Sequence, residues 1–185
     1  MEVRDALLII DMQQGFEEPL WGHRNNPGAE QNGLRVLSCF RARGRQVVFV
    51  RHDSLNALSP LRPGQRGHGF KRGFEPKAGE WVIGKRAHSA FIGTDLEERL
   101  RAAKIGRVTI FGITTDQCVS TTVRMASDLG FAATLVEDAC ACFSQTGPDG
   151  VLVCAEIIHN AHITSLRTEF AQIITTLDVE ASFSL

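Results

Sequence analysis

A carboxylate, an ammonium group and a thiol each stand at or just after the end of a short apolar run in this sequence. Asp11 ends the run ALLIID, Lys85 ends WVIGK, and Cys118 closely follows RVTIFGI. A deprotonated thiol is a strong nucleophile, a carboxylate can take its proton and return it to a leaving amine, and an ammonium group can hold both anionic partners in place. Together the three groups could transfer an acyl group from an amide through a thioester.

Cys118 lies in the stretch ITTDQCVSTTV, where an apolar run gives way to a helical pattern. A helix N-terminus and a nearby lysine both favour the thiolate, so we expect Cys118 to be a reactive cysteine. The backbone N–H groups of Thr114 and Cys118 would face the same space and could stabilise the oxyanion of a tetrahedral intermediate. Asp116 and Gln117 stand beside the nucleophile, where they could contact the substrate or cap the helix.

Short apolar runs alternate with helical patterns along most of the chain. Runs rich in Val, Ile and Leu are typical of strands buried on both faces of a parallel sheet. These runs are ALLIID, QVVFVRH, WVIGK, RVTIFGI, AATLVEDA and, more weakly, FAQIITT. They predict an α/β fold of three layers (α/β/α), with a doubly wound, mainly parallel sheet of about six strands in a single domain over residues 1–185. Such a fold would bring Asp11, Lys85 and Cys118 to one edge of the sheet.

The expected helix ends follow from glycine, proline and capping residues. Three helices are predicted to close at Gly44, Gly106 and Gly130, because glycine readily takes the left-handed conformation that ends a helix. A capping box over Thr94–Glu97 is predicted to start the second of them. Proline at a first helical turn predicts that the last long helix begins near Pro148.

The segment 52–80 has no regular pattern and is rich in Pro, Gly and basic residues. An irregular connection of this length is usually functional or disordered, so we expect a binding loop over the sheet. Its stretch LRPGQRGHGFKRGF is predicted to be a solvated, mobile lid, with an anion site or a subunit contact as alternatives. The apolar residues Phe70, Phe74 and Phe91 are expected near the pocket, which predicts a homodimer or a homotetramer that covers them and includes the segment 52–80.

Composition excludes several classes of function. A net charge of −1 over 185 residues argues against attraction to nucleic acid or to an anionic membrane surface. The N-terminal apolar run is too short for a secretory signal or a membrane span, which predicts a cytoplasmic protein. Five cysteines without C-x-x-C spacing are expected to be reduced thiols rather than a metal framework.

The sequence resembles the isochorismatase-like cysteine hydrolases, which include nicotinamidases and N-carbamoylsarcosine amidohydrolases. The resemblance rests on LLIIDMQQGF, VVFVRHDS, VIGKRAHSAFIGTDLEERLR and VTIFGITTDQCVSTTVRMASDLGF. It implies a catalytic triad of Asp11, Lys85 and Cys118, a small amide or ureido substrate, no cofactor and an oligomeric protein. It also implies a cis peptide bond before Thr114 that would aim the Thr114 and Cys118 amides at the oxyanion. Phe16 stands where the family stacks an aromatic ring on the substrate, and Trp21 is a second candidate for the pocket wall.

Departures from subgroup patterns narrow the expected reaction. Metal-containing nicotinamidases carry an Asp-x-His pair after the second strand, whereas this chain has adjacent His52 and Asp53, with His68 further along. We therefore expect no metal. Isochorismatases that cleave a vinyl ether lack the nucleophilic cysteine, which this chain keeps. A metal-independent amidase is favoured, with a metal-dependent nicotinamidase and a non-catalytic binding module on the same scaffold left open, and the substrate unidentified.

Overall fold

A computed structural model describes residues 4–184, apart from the side chain of residue 184, and its centre is a six-stranded parallel sheet. The strands of the structure are β1 (Arg4–Ile10), β2 (Gln46–His52), β3 (Trp81–Lys85), β4 (Ile105–Gly112), β5 (Ala132–Val136), β6 (Gln145–Thr146), β7 (Leu152–Val153) and β8 (Gln172–Ile174). The sheet has the order β3-β2-β1-β4-β5-β8, while β6 and β7 form a separate antiparallel hairpin. The predicted three-layer α/β fold with six strands is confirmed.

Within residues 4–184, five α-helices flank the sheet. They are α1 (Ala29–Ala42), α2 (Leu96–Ala102), α3 (Ser120–Asp128), α4 (Ala155–Glu169) and α5 (Thr176–Ser184). Helix α1 packs with α5, and α3 packs with α4. The chain order reverses between β1 and β4, so the crevice at their carboxyl ends is where a doubly wound sheet binds ligands.

The central strand β1 explains why its sequence is an unbroken apolar run. It pairs in parallel with β2 on one side and with β4 on the other. Residues Ala6 through Ile10 are completely buried, because helices cover both faces of a parallel sheet. Each fully buried Leu or Ile side chain here contributes roughly 1.5–3 kcal/mol, so the strand that carries Asp11 is a rigid support.

The end of α2 differs from the prediction. The helix stops at Ala102, and Lys104 takes the left-handed conformation, with φ of 57°. Gly106 lies inside β4 instead, because the strand begins immediately after this turn. The other two predicted closing glycines are left-handed, with φ of 59° at Gly44 and 82° at Gly130.

The predicted capping box of α2 is also wrong. The Thr94 hydroxyl donates to the carbonyl of Ala90 (2.6 Å) and accepts a long bond from the Leu96 N–H (3.4 Å). Glu97 does not reach back to the helix start, because its carboxylate pairs with Arg101 one turn later at 2.8 Å. The first turn is therefore held by a threonine turn rather than by reciprocal caps.

Helix α4 begins later in the chain than the prediction from Pro148. Pro148 belongs to the turn of the β6–β7 hairpin, in which the Gly147 N–H donates to the carbonyl of Val151 (2.8 Å). The helix begins only at Ala155. Proline tolerates a turn as well as a first helical turn, so the residue alone could not distinguish the two.

Segment 52–80 is tied to the rest of the fold at several points. The Gln13 side chain donates to the carbonyls of His52 (3.2 Å) and His68 (2.9 Å) and accepts from the His52 N–H (2.8 Å). Leu61 and Phe74 are buried in the core. The exposed basic residues of the segment are Arg62, Arg66, Arg72 and Lys77. These side chains are solvated as predicted, the backbone between them is anchored, and a role as a lid stays a prediction.

Lys71 is the buried exception among those basic residues, and it joins the segment to two acidic side chains. Its Nζ lies 3.0 Å from Glu17 and 3.1 Å from Glu30, and Arg24 holds Glu30 from the other side. Burial raises the pKa of Glu30, but the hydrogen bond and charge of Arg24, with the charge of Lys71, outweigh it and lower the pKa from 4.5 to about 2. The ion pairs of Lys71, Glu17, Glu30 and Arg24 therefore join the loop after β1, helix α1 and segment 52–80.

We expect Glu30→Gln to destabilise the fold by about 2 kcal/mol at pH 7 and by progressively less as the pH falls from 4.5 towards 2. A carboxylate with a depressed folded pKa contributes stability above its unfolded pKa and loses it on protonation. Urea unfolding at several pH values measures this. The surface pair of Glu97 provides the control, since Glu97→Gln should change stability by less than about 0.5 kcal/mol. A pH-independent effect of Glu30→Gln would contradict the assignment.

The apolar rings that motivated the oligomer prediction are not where the sequence placed them. Phe74 is completely buried and Phe91 is 8% exposed, both in the main core. Phe70 is half-buried and packs edge-on against Phe49, with ring centroids 5.4 Å apart. None of the three lines the pocket described below. The expected position of these rings near the pocket was therefore wrong, and the homodimer or homotetramer stays a prediction from the resemblance.

Candidate active site

Asp11, Lys85 and Cys118 meet at the carboxyl edge of the sheet. The Lys85 ammonium donates to Asp11 Oδ2 at 2.7 Å and to Cys118 Sγ at 3.3 Å. Asp11 directly follows β1, Lys85 ends β3 and Cys118 follows β4, so three strands aim three side chains at one point. All three residues are buried, with exposures of 0%, 1% and 7%. The convergence expected from sequence is present.

One oxygen of the Asp11 carboxylate has a hydrogen-bond partner and the other has none. The residue has φ of 49°, and its N–H donates to the carbonyl of Val50 (2.9 Å), which fixes the backbone as it leaves β1. Oδ2 accepts from Lys85, whereas Oδ1 is buried without a hydrogen-bond partner. The ligand atoms of Asp11, His52 and Cys118 lie within 4.8 Å of one another. Asp11 is therefore close enough to the thiol to exchange a proton after a small adjustment.

The pKa of the Cys118 thiol is raised, whereas the sequence argument favoured a lowered pKa and a thiolate. Burial raises the pKa of Cys118 well above 9.0, the Asp11 charge raises it further, and Lys85 only partly opposes both. For Lys85, burial alone would lower the pKa, but the charges of Asp11 and Cys118 outweigh it and raise the pKa. The sequence argument weighed the helix N-terminus and the lysine, but not the burial of the site or the repulsion between the Asp11 carboxylate and a second negative charge.

We therefore expect Cys118 to react with iodoacetamide more slowly than glutathione at pH 7, in the absence of substrate. The rate should keep rising to pH 9 and beyond, because only the thiolate is alkylated. Mass spectrometry of the peptide that contains Cys118 gives the rate at each pH, with glutathione as the reference. A rate that reaches its plateau below pH 8 would show a resting thiolate instead.

The turn that presents Cys118 begins with a glycine that no other residue could replace. Gly112 has φ of 147°, and a Cβ at this position would meet the carbonyl oxygen of Ile10 at 1.9 Å. The next peptide bond, Ile113–Thr114, is cis, as the resemblance implied. Its flanks are fixed by hydrogen bonds from the Ile113 N–H to Ile10 and from the Thr115 N–H to Ala141, both 3.0 Å. One π-helical turn over Thr115–Val119 then leads into α3.

A cavity of about 380 Å³ opens above the thiol, a size suited to a small molecule. One wall consists of the aromatic rings of Phe16, Trp21 and Phe143, with centroids 5.1–6.1 Å apart. The indole N–H of Trp21 donates to the Gly15 carbonyl (2.7 Å), which fixes the ring. Phe16 and Trp21 therefore line the pocket as expected. Phe143 was missed, because it follows β5 in an irregular stretch that has no pattern of its own.

The polar lining includes the other candidates named from the sequence. Thr114, Asp116 and Gln117 all border the cavity, together with Cys118 itself. The Gln145 amide donates to Asp116 Oδ2 at 2.6 Å. Asp116 is therefore held by a neighbouring side chain instead of capping the helix.

Two histidines of the pocket were not recognised as site residues from the sequence. His88 Nδ1 lies 3.6 Å from Cys118 Sγ at the cavity mouth, and His52 Nδ1 lies 3.4 Å from Lys85 Nζ. Their rings stack with centroids 6.5 Å apart. Burial, followed by the charge of Lys85, lowers the pKa of His52, so this ring is neutral at neutral pH. The position of His88 just beyond the end of β3, three residues after Lys85, was the available signal.

The Lys85 ammonium occupies the centre of the group that could otherwise hold a metal. Asp11, His52 and Cys118 are the metal-ligating types that come together in the described part of the chain, and the Lys85 Nζ contacts all three. A divalent cation there would have to coexist with a buried positive charge. His68 does not join this group, because its Nε2 pairs with Asp53 Oδ1 at 2.7 Å.

Comparison with known proteins assigns this architecture. The model of the isochorismatase domain matches residues 5–178. The chain belongs to the isochorismatase family. It is 40% identical to the uncharacterized isochorismatase family protein YrdC of Bacillus subtilis strain 168, over 95% of this chain and 94% of that protein. A solved structure of an isochorismatase-family protein from Chromobacterium violaceum superposes with a TM-score of 0.94 at 42% identity, covering 98% of this chain and 94% of the other.

Membership of the isochorismatase family makes the chain a hydrolytic enzyme. A more distant relative is the ureidoacrylate amidohydrolase RutB of Caulobacter segnis, which is 26% identical over 96% of this chain and 85% of its own length. Across residues 4–184, no helix has both the length and the apolar character needed to cross a membrane.

Proposed function

We propose that the chain is a cysteine amidohydrolase that cleaves the C–N bond of a small carboxamide or ureido compound through a thioester on Cys118. The observation that carries the proposal is the buried contact of one ammonium with a carboxylate and a thiol, 2.7 and 3.3 Å away, beside a cavity of small-molecule size. The relative RutB, named as an amidohydrolase of a ureido compound, supports the same bond type.

In the first half-reaction Asp11 acts as general base and then as general acid. Its carboxylate takes the proton of the Cys118 thiol while Sγ attacks the carbonyl carbon, and the carbonyl electron pair moves to oxygen. The N–H groups of Thr114 and Cys118 stabilise this oxyanion. When the carbonyl re-forms, the C–N bond breaks, and the leaving nitrogen takes the proton from Asp11 to depart as ammonia or an amine.

In the second half-reaction water replaces the nitrogen. Asp11 takes a proton from water as the water oxygen attacks the thioester carbonyl, and the C–S bond breaks when the tetrahedral intermediate collapses. The sulfur leaves and recovers the proton from Asp11, so the site returns to a neutral thiol beside a carboxylate. Lys85 stays protonated throughout, because its ammonium balances the carboxylate at rest and the negative charge that develops near sulfur.

The raised pKa of the Cys118 thiol is compatible with these reaction steps. Proton transfer and attack occur together, so no free thiolate needs to accumulate in a site whose burial disfavours it. The enzyme therefore avoids holding a reactive thiolate open to oxidation between turnovers.

We expect chelators to leave the activity unchanged, because Lys85 already supplies the positive charge at the centre of the candidate ligand group. Incubation with EDTA and with 1,10-phenanthroline, followed by elemental analysis, measures this. One tightly held metal ion per chain, with activity lost on its removal and restored on its return, would instead favour the metal-dependent nicotinamidase alternative.

Ammonia release from a panel of primary amides, N-carbamoyl compounds and nicotinamide tests the proposed reaction. A substrate found in this way should form a thioester that acid quenching traps and mass spectrometry locates on Cys118. Hydrolysis without any adduct on Cys118, under conditions in which acylation is fast, would contradict the thioester route. Absence of turnover across the panel, together with an inert Cys118, would favour the binding-module alternative.

A further inference from the structure

Asp116 places a negative charge in the cavity that the proposed chemistry does not use. Its side chain borders the cavity, two residues before the nucleophile. Gln145 satisfies Oδ2, whereas Oδ1 is buried without a hydrogen-bond partner. The hydrogen bond from the neutral Gln145 amide leaves the negative charge of this carboxylate unbalanced, so a ligand N–H group that approaches it from the cavity is favoured.

Apart from the oxyanion site at the Thr114 and Cys118 N–H groups and the His88 ring, the rest of the cavity lining within residues 4–184 offers no side chain that would attract an anion. In the described part of the chain, the lining includes two acidic residues, Asp11 and Asp116, and no lysine or arginine. The charge of Asp11 is already balanced by Lys85. His52 is neutral, since burial and the charge of Lys85 lower its pKa. Asp116 therefore carries the unbalanced charge of the pocket.

We infer that the substrate carries an N–H donor, preferably a cationic ammonium or amidinium group, near the scissile amide and carries no carboxylate there. This inference rests on the proposed amidohydrolase function and narrows its substrate class. The donor would bind Asp116, while the aromatic wall of Phe16, Trp21 and Phe143 would contact the body of the substrate. Cationic groups also bind favourably over aromatic faces, so both features of the cavity select the same charge.

The charge preference can be measured without knowing the substrate. Three methanethiosulfonate reagents that differ in charge, 2-aminoethyl (cationic), 2-hydroxyethyl (neutral) and 2-sulfonatoethyl (anionic), transfer their thioalkyl group to a thiolate and release methanesulfinate. Labelling at pH 8, where an ordinary histidine is uncharged, is followed by mass spectrometry of the peptide that contains Cys118. Each rate is divided by the rate of the same reagent with glutathione.

We expect the normalised rate for the cationic reagent to exceed that for the anionic reagent by at least tenfold, the size of one charge interaction in a partly desolvated site. Asp116→Asn, which keeps the shape but removes the charge, should reduce this ratio about tenfold, and Asp116→Glu should retain it. Glu98→Gln, on the exposed surface of α2, controls for overall charge and should leave the ratio unchanged. Equal rates, or a preference for the anion in the wild-type protein, would overturn the inference.

Turnover distinguishes a failure of this inference from a failure of the proposed function. Amides that end in ammonium, hydroxyl or carboxylate groups should differ in kcat/KM in the same order, mainly through KM, and Asp116→Asn should remove the order. Hydrolysis without any charge order would reject the inference and keep the amidohydrolase. A cationic preference in labelling without hydrolysis of any amide would keep the role of Asp116 and reject the amidohydrolase.

Discussion

Cys118→Ala is expected to reduce turnover by at least a thousandfold while the fold stays intact. The substitution removes the atom that forms the thioester, and no other thiol borders the cavity in the described part of the chain. Stability should change little, because the side chain is small and lies beside the open cavity. Ammonia release and urea unfolding, measured on the same preparation, test both statements.

Two further variants show whether Cys118 acts as a nucleophile or only shapes the pocket. Cys118→Ser keeps the volume but replaces a thiol by a less acidic hydroxyl, so it should lose most of the activity as well. Cys142→Ala is the matched control, because Cys142 is also buried but donates its S–H to the carbonyl of Ala155 outside the cavity lining. Activity of Cys118→Ala within tenfold of the wild type would exclude a covalent mechanism.

Much of the fold follows from hydrophobic patterning alone. The six apolar runs became the six strands of the main sheet, and the central strands β1, β2 and β4 are buried over most of their length because both faces of the sheet are covered there. The alternation of strands and helices then determined that Asp11, Lys85 and Cys118 meet at one edge. Their convergence was predictable because it depends on topology, not on side-chain detail.

Local features were less predictable where two conformations compete for one residue type. Lys104, not glycine, takes the left-handed turn after α2, because the chain must enter β4 at once. Pro148 closes a hairpin instead of opening a helix. Such outcomes depend on where the following element packs, and a single sequence does not contain that information.

The pocket contains some residues that the sequence identified and one aromatic residue that it did not. Phe16 and Trp21 were identified through the resemblance, whereas Phe143 comes from the loop after β5 and reaches them only through tertiary packing. The direction of the Cys118 pKa shift was misjudged for a related reason. Burial of the site and contact with the Asp11 carboxylate outweigh the lysine, and the extent of burial is a three-dimensional property.

We expect Asp11→Asn and Lys85→Met, each of which removes one charge of the Asp11–Lys85 pair, to abolish turnover. Each variant should also destabilise the protein by about 3–5 kcal/mol. Both side chains are fully buried, 2.7 Å apart, so removing one charge leaves the other in a low-dielectric interior without compensation. The double variant Asp11→Asn/Lys85→Met should recover most of the lost stability, because no unpaired charge remains, but none of the activity.

This cycle separates the structural contribution of the pair from its chemical one. Urea unfolding gives the coupling free energy of the two residues, which is the loss of stability in the double variant minus the sum of the losses in the two single variants. This difference should be negative, and its magnitude should be several times that of a surface pair. Arg101→Met/Glu97→Gln on α2 provides that surface comparison, with an expected coupling below about 0.5 kcal/mol. Single variants as stable as the wild type would mean that the pair is not charged in the folded protein. A double variant that regained activity would show that Asp11 is not needed for proton transfer and that Lys85 is not needed to balance negative charge. The proposed mechanism would then be wrong.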